Sequence, residues 1–180
     1  MARKTEKPDA IALLKADHRK VEDLFEKFEK AKSASVKQTL AMQICTELVV
    51  HSTIEEEIFY PACTGAIEED TVTEAYVEHD GAKVIIAEIT ASGPDNEFFD
   101  SKVKVLSELI KHHVKEEEMR SEGMFAQARE AGLDMDALGE QLAARKEELM
   151  AEIKANGLPT PQTRSFTGHK LAQSEPVAHI

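Results

Sequence analysis

Apolar residues recur along most of this chain at alternating steps of three and four, the spacing that gathers side chains on one face of an α-helix. The first run, Ile11, Leu14, His18, Val21, Phe25 and Phe28, predicts a helix from Asp9, a candidate N-cap after Pro8, to about Lys32. A second helix is expected from near Ser35 to about Cys63, with Ala41, Ile44, Leu48, His51, Glu55 and Ile58 on its seam. A third covers roughly Ile67 to Ala91 through Val72, Ala75, His79, Ala82, Ile86 and Ile89. The turn Ser92-Gly-Pro-Asp95 stops it, and Asp95 is placed to cap a fourth helix through Phe99, Val103, Leu106, Ile110, His113 and Glu117. Long helices with short connections favour antiparallel neighbours, so the expected fold is all-α, an up-down-up-down four-helix bundle over residues 9–122.

The rhythm continues past the bundle. Glu122 to Ala131 is read as a further turn or two, and Asp134 as the cap of a fifth amphipathic helix carrying Leu138, Leu142, Leu149 and Ile153. Gly157 followed by Pro159 is a stop signal. This makes 123–157 a C-terminal helical extension. Residues 158–180, rich in Pro, Thr, Gln and Ser without periodicity, are expected to be disordered. His169 and His179 in that stretch are given no role.

Composition narrows the function classes. Of 180 residues, 42% are hydrophobic and 31% charged, with a formal net charge of −12. That acidity repels phosphate backbones and anionic lipid surfaces, so neither nucleic acid nor membrane is an expected partner. No apolar run is long enough to span a bilayer, and the basic start lacks the apolar stretch of a signal peptide. The two cysteines, Cys45 and Cys63, match neither a disulfide framework nor a zinc motif. They read as buried thiols in a reducing cytoplasm, which is the expected location.

The seams also carry chemistry. A single histidine on an apolar face is more often a hydrogen-bonded core residue than a ligand, but here each of the four helices places one there: His18, His51, His79 and His113. Glu55 and Glu117 follow His51 and His113 by four residues, one turn away on the same face. A bare carboxylate on such a seam is costly to desolvate and needs a compensating cation. Four imidazoles and two carboxylates, without thiolate, suit two divalent metals, iron or manganese rather than calcium or structural zinc. The halves repeat, a lone histidine followed by His-x-x-x-Glu. This motivates pairing His18 with His51 on one metal and His79 with His113 on the other, with Glu55 and Glu117 between them.

These residues carry a resemblance. Asp17-His18, His51-Ser-Thr-Ile-Glu55-Glu-Glu-Ile-Phe-Tyr-Pro61, Glu78-His79 and His112-His113-Val-Lys-Glu-Glu117-Glu118 resemble the hemerythrin-like (HHE cation-binding) domains over about Asp9 to Glu122. The resemblance implies an antiparallel bundle holding two non-haem iron ions, bridged by two carboxylates and an oxo or hydroxo group. The small ligand it implies is dioxygen or hydrogen peroxide. Oxygen-carrying hemerythrins have a second histidine one turn after that of the third helix. This chain has Lys83 there, with Ala82 beside it, which leaves more open positions than simple oxygen storage needs. Peroxide decomposition is one expectation, and an iron- or oxygen-sensing module without turnover is the alternative.

Several neighbours have competing readings. His112 with Glu116 rivals His113 with Glu117, but His113 and Glu117 continue the Leu106–Ile110 seam and are preferred. Glu56 is expected on a solvated face rather than as an extra ligand, and Glu22 at the surface. Tyr60 and Tyr76 are assigned to packing. Lys83 is expected to reach solvent.

Overall fold

The computed structural model describes residues 8–166 and Gly168. In chain order it comprises α1 (Ala10–Lys30), α2 (Ala34–Ile54), a π-helical segment Glu55–Phe59, α3 (Tyr60–Cys63), α4 (Glu69–Ala91), α5 (Phe99–Glu118), α6 (Met124–Glu130) and α7 (Met135–Asn156). Among the described residues there is no strand. Helix α1 packs on α2, α2 on α4, α4 on α5, and α5 closes on α1. The result is the expected antiparallel four-helix bundle. No helix of the described residues is long and apolar enough to cross a membrane.

Two of the predicted caps form. The side chain of Asp9 accepts from Ala12 N–H at 2.7 Å, and that of Asp134 accepts from Ala137 N–H at 3.0 Å, satisfying donors that helix starts leave free. Asp95 does not cap the fourth helix. Residues 93–98 form turns in which Asn96 accepts from the Phe98 N–H at 2.9 Å, and α5 begins at Phe99.

The second helix departs from its predicted seam after Glu55. In the π segment the Tyr60 N–H donates to the Glu55 carbonyl five residues back. Glu55 and Tyr60 therefore share a face, and Phe59 and Tyr60 are buried where the sequence pattern points to Ile58. Pro61 supplies a physical reason, since it lacks an N–H and its ring strikes the carbonyl four residues back in a regular α-helix. Widening the turn relieves that clash, as π-bulges at functional positions often do.

Two apolar clusters fill the bundle. One contains Phe25, Phe28, Ile44, Leu48, Ile86, Phe99 and Leu106, and the other Leu14, Ile54, Phe59, Tyr60, Val72, Phe125 and Leu142. The seam histidines and glutamates make a buried polar layer beside them. Helix α7 packs along α1, α2 and the π segment. It comes so close to the start of α1 that a Cβ on Gly139 would lie 2.7 Å from the Pro8 carbonyl oxygen, so only glycine fits. Cys45 and Cys63 are both free and fully buried, in different clusters, and burial pushes each thiol up to about 12.

Beyond Gly157, residues 158–166 form no regular element, yet they make defined contacts where disorder was expected. Leu158 packs on the first cluster, the Arg164 guanidinium lies 4.4 Å from the Tyr76 ring centre, and Ser165 Oγ donates to Asp80 Oδ2 at 2.7 Å. His169 and His179 lie outside the described residues.

Candidate metal centre

The structure brings His18, His51, Glu55, His79, His113 and Glu117 into one layer, each no more than 5% exposed. The four imidazoles point Nε2 inward. His18 and His51 Nε2 are 3.1 Å apart, as are His79 and His113 Nε2. Glu55 Oε2 lies 3.2 Å from His51 Nε2 and 3.3 Å from His79 Nε2. Glu117 lies 3.5 Å from His113 Nε2 through Oε1 and 3.3 Å from His18 Nε2 through Oε2. Each carboxylate therefore spans the two histidine pairs. Of the rival pair, His113 is the inward residue with a side chain 4% exposed, while the His112 side chain is 59% exposed.

This donor set fits divalent cations. Two ligand atoms bound at right angles to one first-row metal, each at about 2.0–2.2 Å, lie about 2.8–3.1 Å apart. The paired nitrogens have that separation. Glu55 Oε1 and Glu117 Oε2 are buried without a hydrogen-bond partner, a cost that a cation removes. His18, His51, Glu55 and Glu117 form one group of ligand atoms, and Glu55, His79 and His113 a second.

An acidic outer ring holds the imidazoles from behind. His18 Nδ1 faces Glu118 at 2.7 Å, His79 Nδ1 faces Glu56 at 2.9 Å, and His113 Nδ1 faces Glu78 at 2.7 Å. His51 Nδ1 is 3.6 Å from Asp17, longer than a hydrogen bond. Such partners fix the tautomer that presents the Nε2 lone pair inward. The sequence signals were the acid before each lone histidine (Asp17, Glu78) and the acid after each seam glutamate (Glu56, Glu118). Their role was not read from them. Glu56, expected in solvent, instead accepts from Lys83 Nζ at 2.7 Å. Lys83 correspondingly does not reach solvent but is 8% exposed, held by Glu56 and by Asp80 at 3.4 Å. Glu22 stays at the surface with Arg19.

Tyr60, assigned to packing from sequence, belongs to the layer. Its hydroxyl lies 3.1 Å from both His79 Nε2 and Glu117 Oε1 and 3.4 Å from Glu55 Oε2. Its ring stacks on His79 at 5.3 Å between centroids, while at His18 the stacking ring is Phe125 at 5.9 Å. The second ligand group, which has fewer protein donors, is thus the one with a phenol beside it. Burial, then Glu117 and Glu55, raise the Tyr60 hydroxyl well above its ordinary value, so it stays protonated in the metal-free chain.

Without a cation, protons compensate the carboxylates. Burial alone would lower His51, but Glu55 and Asp17 outweigh it and raise the imidazole from 6.5 to about 10. Burial works against the Glu55 carboxylate, yet His51 and His79 hold it well below 4.5. A raised histidine stabilises fully below its unfolded value and loses that contribution as pH climbs through its folded one. A depressed carboxylate stabilises above its unfolded value and loses that contribution as pH falls. Metal-free protein is therefore expected to be most stable between pH 4.5 and 6.5 and to lose stability from 6.5 towards 10. Thermal midpoints of chelator-treated protein across this range check it. A flat or rising midpoint above pH 6.5 would contradict the assignment.

A small cavity of about 20 Å³ lies against the four imidazoles, with Val21, Leu48, Ala82, Ile86, Ile110 and Val114 as its apolar walls. It has room for a water-sized molecule.

Comparisons with known proteins bear on the fold and the family. A solved hemerythrin HHE cation binding domain-containing protein from Mycobacterium kansasii shares the fold, with a TM-score of 0.68 and 20% identity, over 84% of this chain and 95% of that one. A protein named DNA nickase from Nostoc sp. is 29% identical over 106 residues, 59% of this chain, and the chain spans 30% of that relative's length. The model of the hemerythrin HHE cation binding domain matches residues 9–128. That match covers more than half of the sequence, and the chain belongs to the hemerythrin HHE cation-binding domain family.

Proposed function

We propose that the chain is a non-haem di-iron protein that binds or reacts with dioxygen or hydrogen peroxide. His18 and His51 would hold one iron, His79 and His113 the other, with Glu55 and Glu117 shared between them. The observation that carries the reading is the cavity beside the imidazoles. Its size admits a molecule of one or two non-hydrogen atoms, and its apolar walls favour an uncharged one. Two adjacent irons, when bound, supply or accept two electrons at a single O–O unit.

The chain's own residues do the rest. The outer carboxylates of Glu118, Glu56 and Glu78 keep three of the imidazoles oriented by hydrogen bonds, and Asp17 faces the fourth at 3.6 Å. Val21, Leu48, Ile86 and Ile110 exclude bulk water from that side. Tyr60 holds a proton at its hydroxyl, hydrogen-bonded to Glu117 Oε1, and would be the layer's own proton donor and acceptor towards a small oxidant. Tyr60→Phe is therefore expected to keep its iron and to lose about 100-fold in peroxide turnover. Oxygen evolution measured at matched iron content checks this, and unchanged turnover would return Tyr60 to a packing role.

A sensing role has its own support. Lys146 of α7 pairs with Asp17, which faces His51, so the layer is tied to a helix outside the bundle. Iron analysis, the near-ultraviolet spectrum and peroxide turnover of iron-loaded protein separate the readings. About two irons per chain with rapid oxygen evolution supports the enzyme, and iron binding without turnover supports the sensor. Less than about half an equivalent after anaerobic loading would sink both.

A further inference from the structure

Three of the four outer carboxylates are themselves neutralised by a basic side chain. Asp17 pairs with Lys146, Glu56 with Lys83 and Glu118 with Arg19. Glu78 is the exception. Its Oε2 faces His113 Nδ1 at 2.7 Å, and its Oε1 lies 3.2 Å from Nε2 of His112, the histidine that the buried layer leaves outside. That same nitrogen is 3.2 Å from Glu116 Oε1. Among the described residues, neither Glu78 nor Glu116 has a lysine or arginine partner. One ligand atom each from Glu78, His112 and Glu116 lies within 4.8 Å of the others.

A second observation concerns what lies behind this cluster. Glu78 and Glu116 line a cavity of about 130 Å³ whose walls run from Glu74 and Glu122, exposed at the surface, to His113 and Glu117. Glu117 is 2% exposed, and its Oε2 is a buried oxygen with no hydrogen-bond partner. A cavity walled in part by carboxylates thus joins an uncompensated surface cluster to Glu117, a candidate ligand of the buried layer.

We propose that Glu78, His112 and Glu116 form a further divalent-cation site, a port at which ferrous iron docks before passing along this cavity to His113 and Glu117. One imidazole and two carboxylates take a first-row divalent ion. A cleft lined by carboxylates on a chain of net charge −12 concentrates cations and speeds their capture. Cation binding at the port stands on its own residues, while its role in entry rests on the buried layer being the metal centre.

The test uses the full chain freed of metal. Titration with Co²⁺, followed by calorimetry and visible absorption, is expected to show tight uptake and a further, weaker equivalent. His112→Ala and Glu116→Gln should each weaken that equivalent about tenfold or more and leave tight uptake intact. In anaerobic stopped-flow loading with Fe²⁺, the double variant should fill about tenfold more slowly to the same final content. Glu97→Gln, an exposed acid elsewhere, should load at the wild-type rate. Persistence of the weak equivalent in both variants overturns the site. Wild-type loading by the double variant, or equal slowing by Glu97→Gln, overturns the entry role. A His112-dependent equivalent without tight uptake upholds the site, removes the entry role and counts against the buried centre instead.

Discussion

Glu55→Gln is expected to reduce bound iron from about two ions per chain to about one or fewer, the largest effect among single substitutions in the layer. Glu55 belongs to both groups of ligand atoms, within 3.2 and 3.3 Å of a histidine from each pair. The amide keeps the volume and removes the anion, so helix packing survives while both groups lose their shared charge. Losing an outer partner of a metal ligand already lowers affinity by about 10–100-fold, and a shared inner carboxylate should exceed that. Metal analysis after equilibrium dialysis against iron measures the outcome. Wild-type content at limiting iron would show that Glu55 is not a ligand.

Chelation is the second large effect. A cation that binds only the folded chain stabilises it by about 4 kcal/mol when its free concentration is about 1,000 times its Kd. For a chain of this size, about 2–4 °C of melting temperature accompanies each kcal/mol. Removing metal should therefore lower the midpoint by roughly 8–16 °C, most steeply above pH 6.5, where the proton on His51 contributes progressively less stability to the metal-free chain. Calorimetric scans with and without chelator decide the matter. Coincident midpoints at neutral pH would mean that the layer folds without help from a cation.

The periodic part of the fold was legible because local rules decide it. The steps of three and four from Ile11 to Phe28 and the caps at Asp9 and Asp134 depend on residues within a turn of one another. The six seam residues were legible for the same reason, since the seam alone turns them inward. Other features depended on what faces them. Tyr60 joins the layer only because the π segment inserts an extra residue after Glu55, a shift that a regular pattern does not contain. Lys83 stays inside because Glu56 and Asp80 meet it there, which requires knowing how α4 sits against the π segment. Asp95 failed as a cap because the turn runs on through three more residues, 96–98, before α5 begins at Phe99.

The outer ring has a consequence for how such a site can arise. Asp17 serves a histidine in its own hairpin, as Glu78 does, while Glu56 and Glu118 each serve a histidine in the opposite hairpin. The seam glutamates divide their contacts the same way. One hairpin thus carries both partners of its own contacts and one partner of each contact across the layer, and two identical hairpins related by a two-fold axis would carry all of them. Gene duplication followed by fusion of a self-pairing helical hairpin would deliver this arrangement in one step. The later asymmetries, Tyr60 against Phe125 and Lys83 against Glu22, are then the places where the two copies have been free to specialise.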